Sequence, residues 1–152
     1  MAVAAAGAAA AASGSVAGEA PEGSPEGLPD LALKGIEEFN RGEFYECHEY
    51  LEEAWMQEPG RVRFLYQGIL QVGVGFHHLS RANLYGARSL WTRGVALLQP
   101  FRPSCMGVDV EALVLATERC LAELGRVERE GGAFDQTLIP RVKRTGEATG
   151  AS

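Results

Sequence analysis

Phe64-Leu65-Tyr66-Gln67-Gly68-Ile69-Leu70-Gln71-Val72-Gly73-Val74-Gly75-Phe76-His77-His78-Leu79 carries apolar side chains on every side when wound as a helix at about 100° per residue. A helix apolar all round must be covered on all sides by others. Gly68, Gly73 and Gly75 sharpen that expectation, because each costs about 1 kcal/mol relative to alanine inside a helix. Such glycines fit where a neighbouring backbone comes close, and Gly86, Ala87 and Gly94 further on supply a matching face. Apolar runs are broken by Gln, Gly or Arg well short of the ~20 residues of a membrane span. The stretch therefore predicts a central buried helix over about Val62 to Arg81 and no membrane helix.

Four more helical patterns flank it. Asp30 is placed to cap a first helix that ends near Asn40, with Gly42 as its stop. The second runs from about Glu43 to Gln57 and is closed by Glu58-Pro59-Gly60. Asn83 is placed to cap a fourth, Leu84 to Leu98, which Pro100 and Pro103 terminate. The fifth runs from about Asp109 to Val127, with Val110, Leu113, Val114, Thr117, Leu121 and Leu124 on one face. No segment alternates with the strand period. Short connections make successive helices antiparallel neighbours. The expected fold is all-α, a compact five-helix bundle of antiparallel helical hairpins. Helices two and four also match at a spacing of 40 residues: Phe44-Tyr45 with Leu84-Tyr85 and Cys47 with Ala87, with Trp55 and Trp91 later in each.

Residues 1–27 are Ala, Gly, Ser, Glu and Pro with little to bury, and are expected to be a disordered tail. The helical domain is expected over 28–128. Residues 129–152 are expected to be mostly unstructured, with a small basic cluster at Arg141, Lys143 and Arg144. The first residues lack the positive start and bulky apolar run of a secretory signal. Cys47, Cys105 and Cys120 show no metal-site spacing and read as reduced thiols. The expected location is cytoplasmic, with a plastid as the alternative if the first segment is a transit peptide.

Charge is unevenly spread. The net value is −6, yet no Asp or Glu occurs from Pro59 to Val108, where Arg61, Arg63, Arg81, Arg88, Arg93 and Arg102 fall. Glu37, Glu38, Glu43, Glu46, Glu49, Glu52, Glu53 and Glu58 precede them. The plain expectation is that acidic and basic helices pack side by side. The alternative is an arginine surface for an anion or RNA, although the acidic total disfavours a generic nucleic-acid binder.

The residues with chemistry are few. On helix two, Phe44, Cys47, Leu51 and Trp55 form an apolar face that includes His48, and Glu52 follows at i+4 on its flank. On helix three, Gln67, Gln71 and His78 form one polar stripe, from which His77 points away. If the two helices pack together, His48, Glu52, Gln67, Gln71 and His78 meet in a partly buried cluster, with Tyr45, Trp55, Tyr66 and Arg88 at its fringe. Such a cluster serves as a register-fixing polar network, as a small-ligand site, or as a metal or acid–base centre. His48, Glu52 and His78 would be the ligands of a divalent metal, though nothing in the sequence requires a cofactor. His48-Glu49-Tyr50-Leu51-Glu52 has Glu where H-E-x-x-H needs its second histidine, and no complete catalytic motif is present.

Phe39-Asn40-x-Gly42-Glu43-Phe44-Tyr45-Glu46-x-His48-Glu49-x-Leu51-Glu52-x-x-Trp55 resembles the signature of the family catalogued as domain of unknown function 309. Tyr66-Gln67-Gly68-Ile69-Leu70-Gln71, then His78, then Asn83-Leu84-x-Gly86-Ala87-Arg88 continue the resemblance, which covers about residues 31–100. It implies a compact all-helical fold and no assigned activity. By position, His48, Glu52, Trp55, Gln67, Gln71 and His78 match the family pattern. Ala82 stands where a glycine is expected. The functional expectation is a non-catalytic module binding a protein partner or small ligand. The alternatives are a metal-assisted or His/Glu hydrolase, and an arginine-mediated anion contact. A homodimer through an exposed Trp91 or Phe101 is a further expectation.

Overall fold

The computed structural model describes residues 27–145. The expectation of a disordered tail over 1–27 falls, Gly27 apart, outside the described residues. Five helices carry the chain: α1 (Asp30–Asn40), α2 (Phe44–Gln57), α3 (Arg63–Ser80), α4 (Leu84–Leu98) and α5 (Val110–Glu130). The fold is all-α apart from a two-stranded hairpin, β1 (Ser104–Cys105) and β2 (Val108–Asp109). No helix among the described residues is long and apolar enough to cross a membrane.

Helix α3 is the centre, as its all-round apolarity requires, and every residue from Leu65 to Phe76 is buried. Its glycines are the contact points. A Cβ on Gly73 would meet the Cys47 thiol and the Phe39 ring, and one on Gly68 would lie 2.7 Å from Leu98. Gly94 of α4 faces Val72 and the Gly68 carbonyl. The close face anticipated on the fourth helix is therefore the one that locks α4 to α3.

The 40-residue repeat is deeper than the aromatic matches indicate. Helices α1 and α3 end in the same hydrogen-bonded stop: Gly42 N–H to Phe39 O and Glu43 N–H to Glu38 O, against Ala82 N–H to Leu79 O and Asn83 N–H to His78 O. Gly35 opposes Leu51 as Gly75 opposes Trp91, each pair shifted by the same interval. The chain thus contains one helical hairpin twice, α1–α2 and α3–α4, and α5 packs against α4.

Within this pattern Ala82 holds φ 61° where its counterpart Gly42 holds φ 82°. A Cβ in the left-handed region costs about 1–2 kcal/mol, and glycine gives part of that back through a freer unfolded chain. Ala82→Gly is expected to stabilise the fold by about 0.5–1 kcal/mol, read as a higher melting temperature. A lower one would mean that the Ala82 methyl contributes packing.

Two local expectations are corrected. Pro29, not Asp30, is the cap residue of α1, and no side chain bonds its free N–H groups. Its fixed φ serves that position, and Asp30 becomes the first helical residue. Asn83 and Asp109, in contrast, do cap α4 and α5 through Gly86 N–H and Ala112 N–H. Helix α5 runs on to Glu130, where Gly131 at φ 83° stops it.

The segment after α5, expected to be mostly unstructured, is tied to the core as far as Thr145. Arg126 and the Asp135 N–H bond to Glu123 and pull its carboxyl down to about 2. Arg126 also donates to the Ala133 carbonyl, and these bonds bring Phe134 onto Trp91. Asn40 exchanges two hydrogen bonds with the backbone of Val142, which is buried. Val108 bridges to Arg144 beyond it. These polar fastenings leave no hydrophobic period, so the pattern of apolar residues does not reveal them.

Candidate functional site

The structure divides four of the five candidate residues between two places and puts Gln67 in neither. His48 Nε2 pairs with Glu52 Oε1 at 3.2 Å along α2, as the i, i+4 spacing predicts. The Tyr45 ring lies 6.1 Å from His48 and 6.0 Å from His77, and His77 lies 6.3 Å from His78. His77, expected to point away from the polar stripe, is thus the link between Tyr45 and His78. His48 and His78 stand at opposite ends of this row of rings. His78 turns to Asn83 instead, with its Nδ1 3.2 Å from the amide nitrogen. Among the described residues no three His, Cys, Asp or Glu side chains gather as a metal ion would need. The anticipated His48, Glu52 and His78 triad is therefore not assembled: His48 and Glu52 pair along α2, with His48 Nδ1 buried and unpartnered among the described residues, while His78 turns to Asn83.

The second place is a cleft of about 530 Å³ between α3 and α4, a volume typical of small-ligand sites. Leu70, Gln71, Val74 and His78 line it from α3. Tyr85, Gly86, Ser89, Leu90 and Arg93 line it from α4, and Asn83 closes the turn between. The glycine contacts explain this geometry. Gly86 stands against His78, and Gly94 against Val72 and Gly68, so the two backbones are drawn together along the cleft.

Gln71 is 1% exposed and its Oε1 has no hydrogen-bond partner among the described residues, as also holds for His48 Nδ1 and the Tyr66 hydroxyl, which do not line the cleft. Leaving a buried polar group unmade costs about 1–3 kcal/mol. Burial, and then the charge of His77, lower the pKa of His78, which keeps the ring neutral near pH 7. Gln67 is equally buried on the same helix but does not line the cleft.

The fringe residues divide as well. Arg88 leaves for α5, where it pairs with Glu128. Tyr66 is fully buried near Glu58 and Cys105, and its burial pushes the phenol pKa up. Trp55 packs half-buried against the core. Trp91 is 0% exposed and Phe101 is half-buried, so Trp91 is unavailable to a dimer partner. Burial also raises all three thiols, with Cys120 pushed up to about 12, so none is a ready nucleophile.

The acidic and basic helices do not neutralise each other as expected. Across elements, Arg88 and Arg102 pair with Glu128 and Glu111 of α5, and no ion pair joins α2 to an arginine of 59–108 among the described residues. Arg93 keeps no counter-ion there.

Of the cleft lining, sequence reasoning named only Gln71 and His78; it missed Leu70, Val74, Tyr85, Gly86, Ser89 and Leu90 and placed Asn83 and Arg93 elsewhere. The signal was present: Tyr85, Ser89 and Arg93 recur every four residues on one face of α4.

Comparison with known proteins agrees with the motif resemblance. Residues 32–90 match the family model described as Domain of unknown function (DUF309). That stretch runs from α1 to the middle of α4 and includes every cleft residue except Arg93. The chain is similar to the Uncharacterized protein YpuF of Bacillus subtilis (strain 168), 38% identical over 58 residues. The match takes in 38% of this chain and 33% of that protein, so the chain spans about a third of its curated relative.

Proposed function

We propose that this chain is a non-catalytic binding module and that its site is the α3–α4 cleft, which takes a small ligand. The observation that carries this reading is Gln71 Oε1, buried at the cleft with no hydrogen-bond partner among the described residues. A buried acceptor left without its hydrogen bond lowers stability, and a bound ligand with an N–H or O–H would supply the missing donor. Leu70, Val74 and Leu90 give the cleft an apolar lining around it, the usual make-up of a ligand site. The His48–Glu52 pair braces α2 locally through Nε2 and Oε1, although His48 Nδ1 is itself buried without a hydrogen-bond partner among the described residues. Three unbridged cysteines, with burial holding Cys47 and Cys120 as thiols, fit a reducing compartment such as the cytoplasm.

Backbone amide shifts recorded during a small-molecule screen test this assignment. Binders are expected to move the signals of Gln71, Val74, Gly86 and Ser89 and to leave Glu49 and Glu52 in place. Hits that act only around α2, or a screen of apolar and amphiphilic compounds without any hit, would overturn it.

A further inference from the structure

We propose that the ligand of this cleft is an amphiphilic organic acid: an apolar body lying on Leu70, Val74 and Leu90, an anionic group at Arg93, and an N–H or O–H beside it for Gln71. The inference rests on the cleft being the binding site and adds the chemistry of what it takes.

Charge decides the sign of the ligand. Arg93 stands at the cleft and finds no carboxylate in the described chain to pair with. No Asp or Glu lines the cleft, and none occurs in the sequence from Pro59 to Val108, so no lining carboxylate repels an anion there. A cation would face Arg93 with nothing to offset it. His78, its pKa lowered by burial, adds a neutral ring, which leaves the guanidinium as the charged group of the lining.

Register decides the arrangement. Gly94 lies against Val72 and Gly68, which sets its neighbour Arg93 at the level of the Gln71 turn. The anion receptor and the unpaired amide therefore belong to the same end of the cleft. Val74 and Leu90 continue it towards His78 and the ring of Tyr85, which is 83% exposed. A ligand with its acid and donor at one end and an apolar chain at the other fits that order. A guanidinium–carboxylate contact outlasts a neutral one because it is charge-assisted.

Isothermal titration with four eight-carbon probes tests the assignment: octanoate, 2-hydroxyoctanoate, 1-octanol and octylamine. Octanoate is expected to bind at least tenfold more tightly than 1-octanol or octylamine. Arg93→Gln, an exposed substitution, is expected to remove that advantage, so that octanoate binds no more tightly than 1-octanol. 2-Hydroxyoctanoate is expected to bind about fivefold more tightly than octanoate, and Gln71→Leu to erase the difference. Equal affinity for acid, alcohol and amine, or an Arg93→Gln variant that still prefers octanoate, overturns the ligand class and leaves the cleft standing. Absence of binding by all four probes overturns the ligand class too. If the amide-shift screen also finds nothing at the cleft, both readings fall together.

Discussion

Trp91→Ala is expected to destabilise the fold by about 4 kcal/mol, the cost typical of truncating a buried tryptophan. Trp91 is 0% exposed, and its indole N–H donates to the Val72 carbonyl at 3.2 Å. Phe76 packs against it at a tilt, with ring centroids 4.8 Å apart, and so does Phe134 at 6.1 Å. One side chain therefore fastens α4 to α3 and also gives the segment after α5 its seat. Alanine removes all three contacts and leaves a cavity that the paired glycine backbones cannot close. Thermal unfolding reads the loss as a fall in melting temperature well above 10 °C. Amide hydrogen exchange is expected to speed up over 131–145 more than in α1, because Phe134 loses its support. A fall of only a few degrees, with exchange unchanged in that segment, would show that Trp91 is not the fastening.

Gly75→Ala attacks the same contact from the other side. The added Cβ would lie 2.4 Å from Cδ1 and Nε1 of Trp91, closer than real carbons approach. The indole is held by the Val72 carbonyl and two rings, so it has no free direction in which to retreat. Overpacking of this kind costs about 3 kcal/mol, and alanine recovers about 1 through its better helix propensity. The expected net loss is about 2 kcal/mol, on the order of 8 °C in melting temperature. A neutral or stabilised variant would contradict the close approach of the two helices.

Both predictions come from features that sequence reasoning reached in part. The all-round apolarity of Phe64 to Leu79 identified the central helix, and Gly68, Gly73 and Gly75 announced tight neighbours. Asn83 and the stop signals at Gly42 and Pro100 placed the helix ends within a residue or two. The repeat was visible in Tyr45 and Tyr85 but not in Gly35 and Gly75, whose equivalence depends on what each one touches. Residues 131–145 were illegible for a different reason. Asn40, Glu123 and Arg126 hold them by hydrogen bonds across long sequence separations, and hydrogen bonds leave no periodicity.

The site was half legible. Helical phase put Gln67, Gln71 and His78 on one stripe, of which Gln71 and His78 line the cleft and Gln67 does not, and it put His48 with Glu52 on α2. Phase cannot say which neighbour covers each face of a helix apolar all round, and the sequence reading paired the α3 stripe with α2. The glycines at Gly86 and Gly94 settle the matter by letting α4 approach where Gln71 and His78 point. Arg88 and Arg93, five residues apart on α4, show the same limit. Arg88 is bound to Glu128 of α5, and Arg93 is left at the cleft.

Gln71→Leu, followed by thermal unfolding and by titration with 2-hydroxyoctanoate on the same preparation, tests most directly whether the cleft is a binding site. Leucine fills nearly the same space without a buried amide to satisfy, so the melting temperature is expected to rise by several degrees, for a gain of about 1–2 kcal/mol. The same variant is expected to bind the hydroxy acid at least fivefold more weakly. A lower melting temperature with binding intact would contradict the assignment and make Gln71 a structural residue.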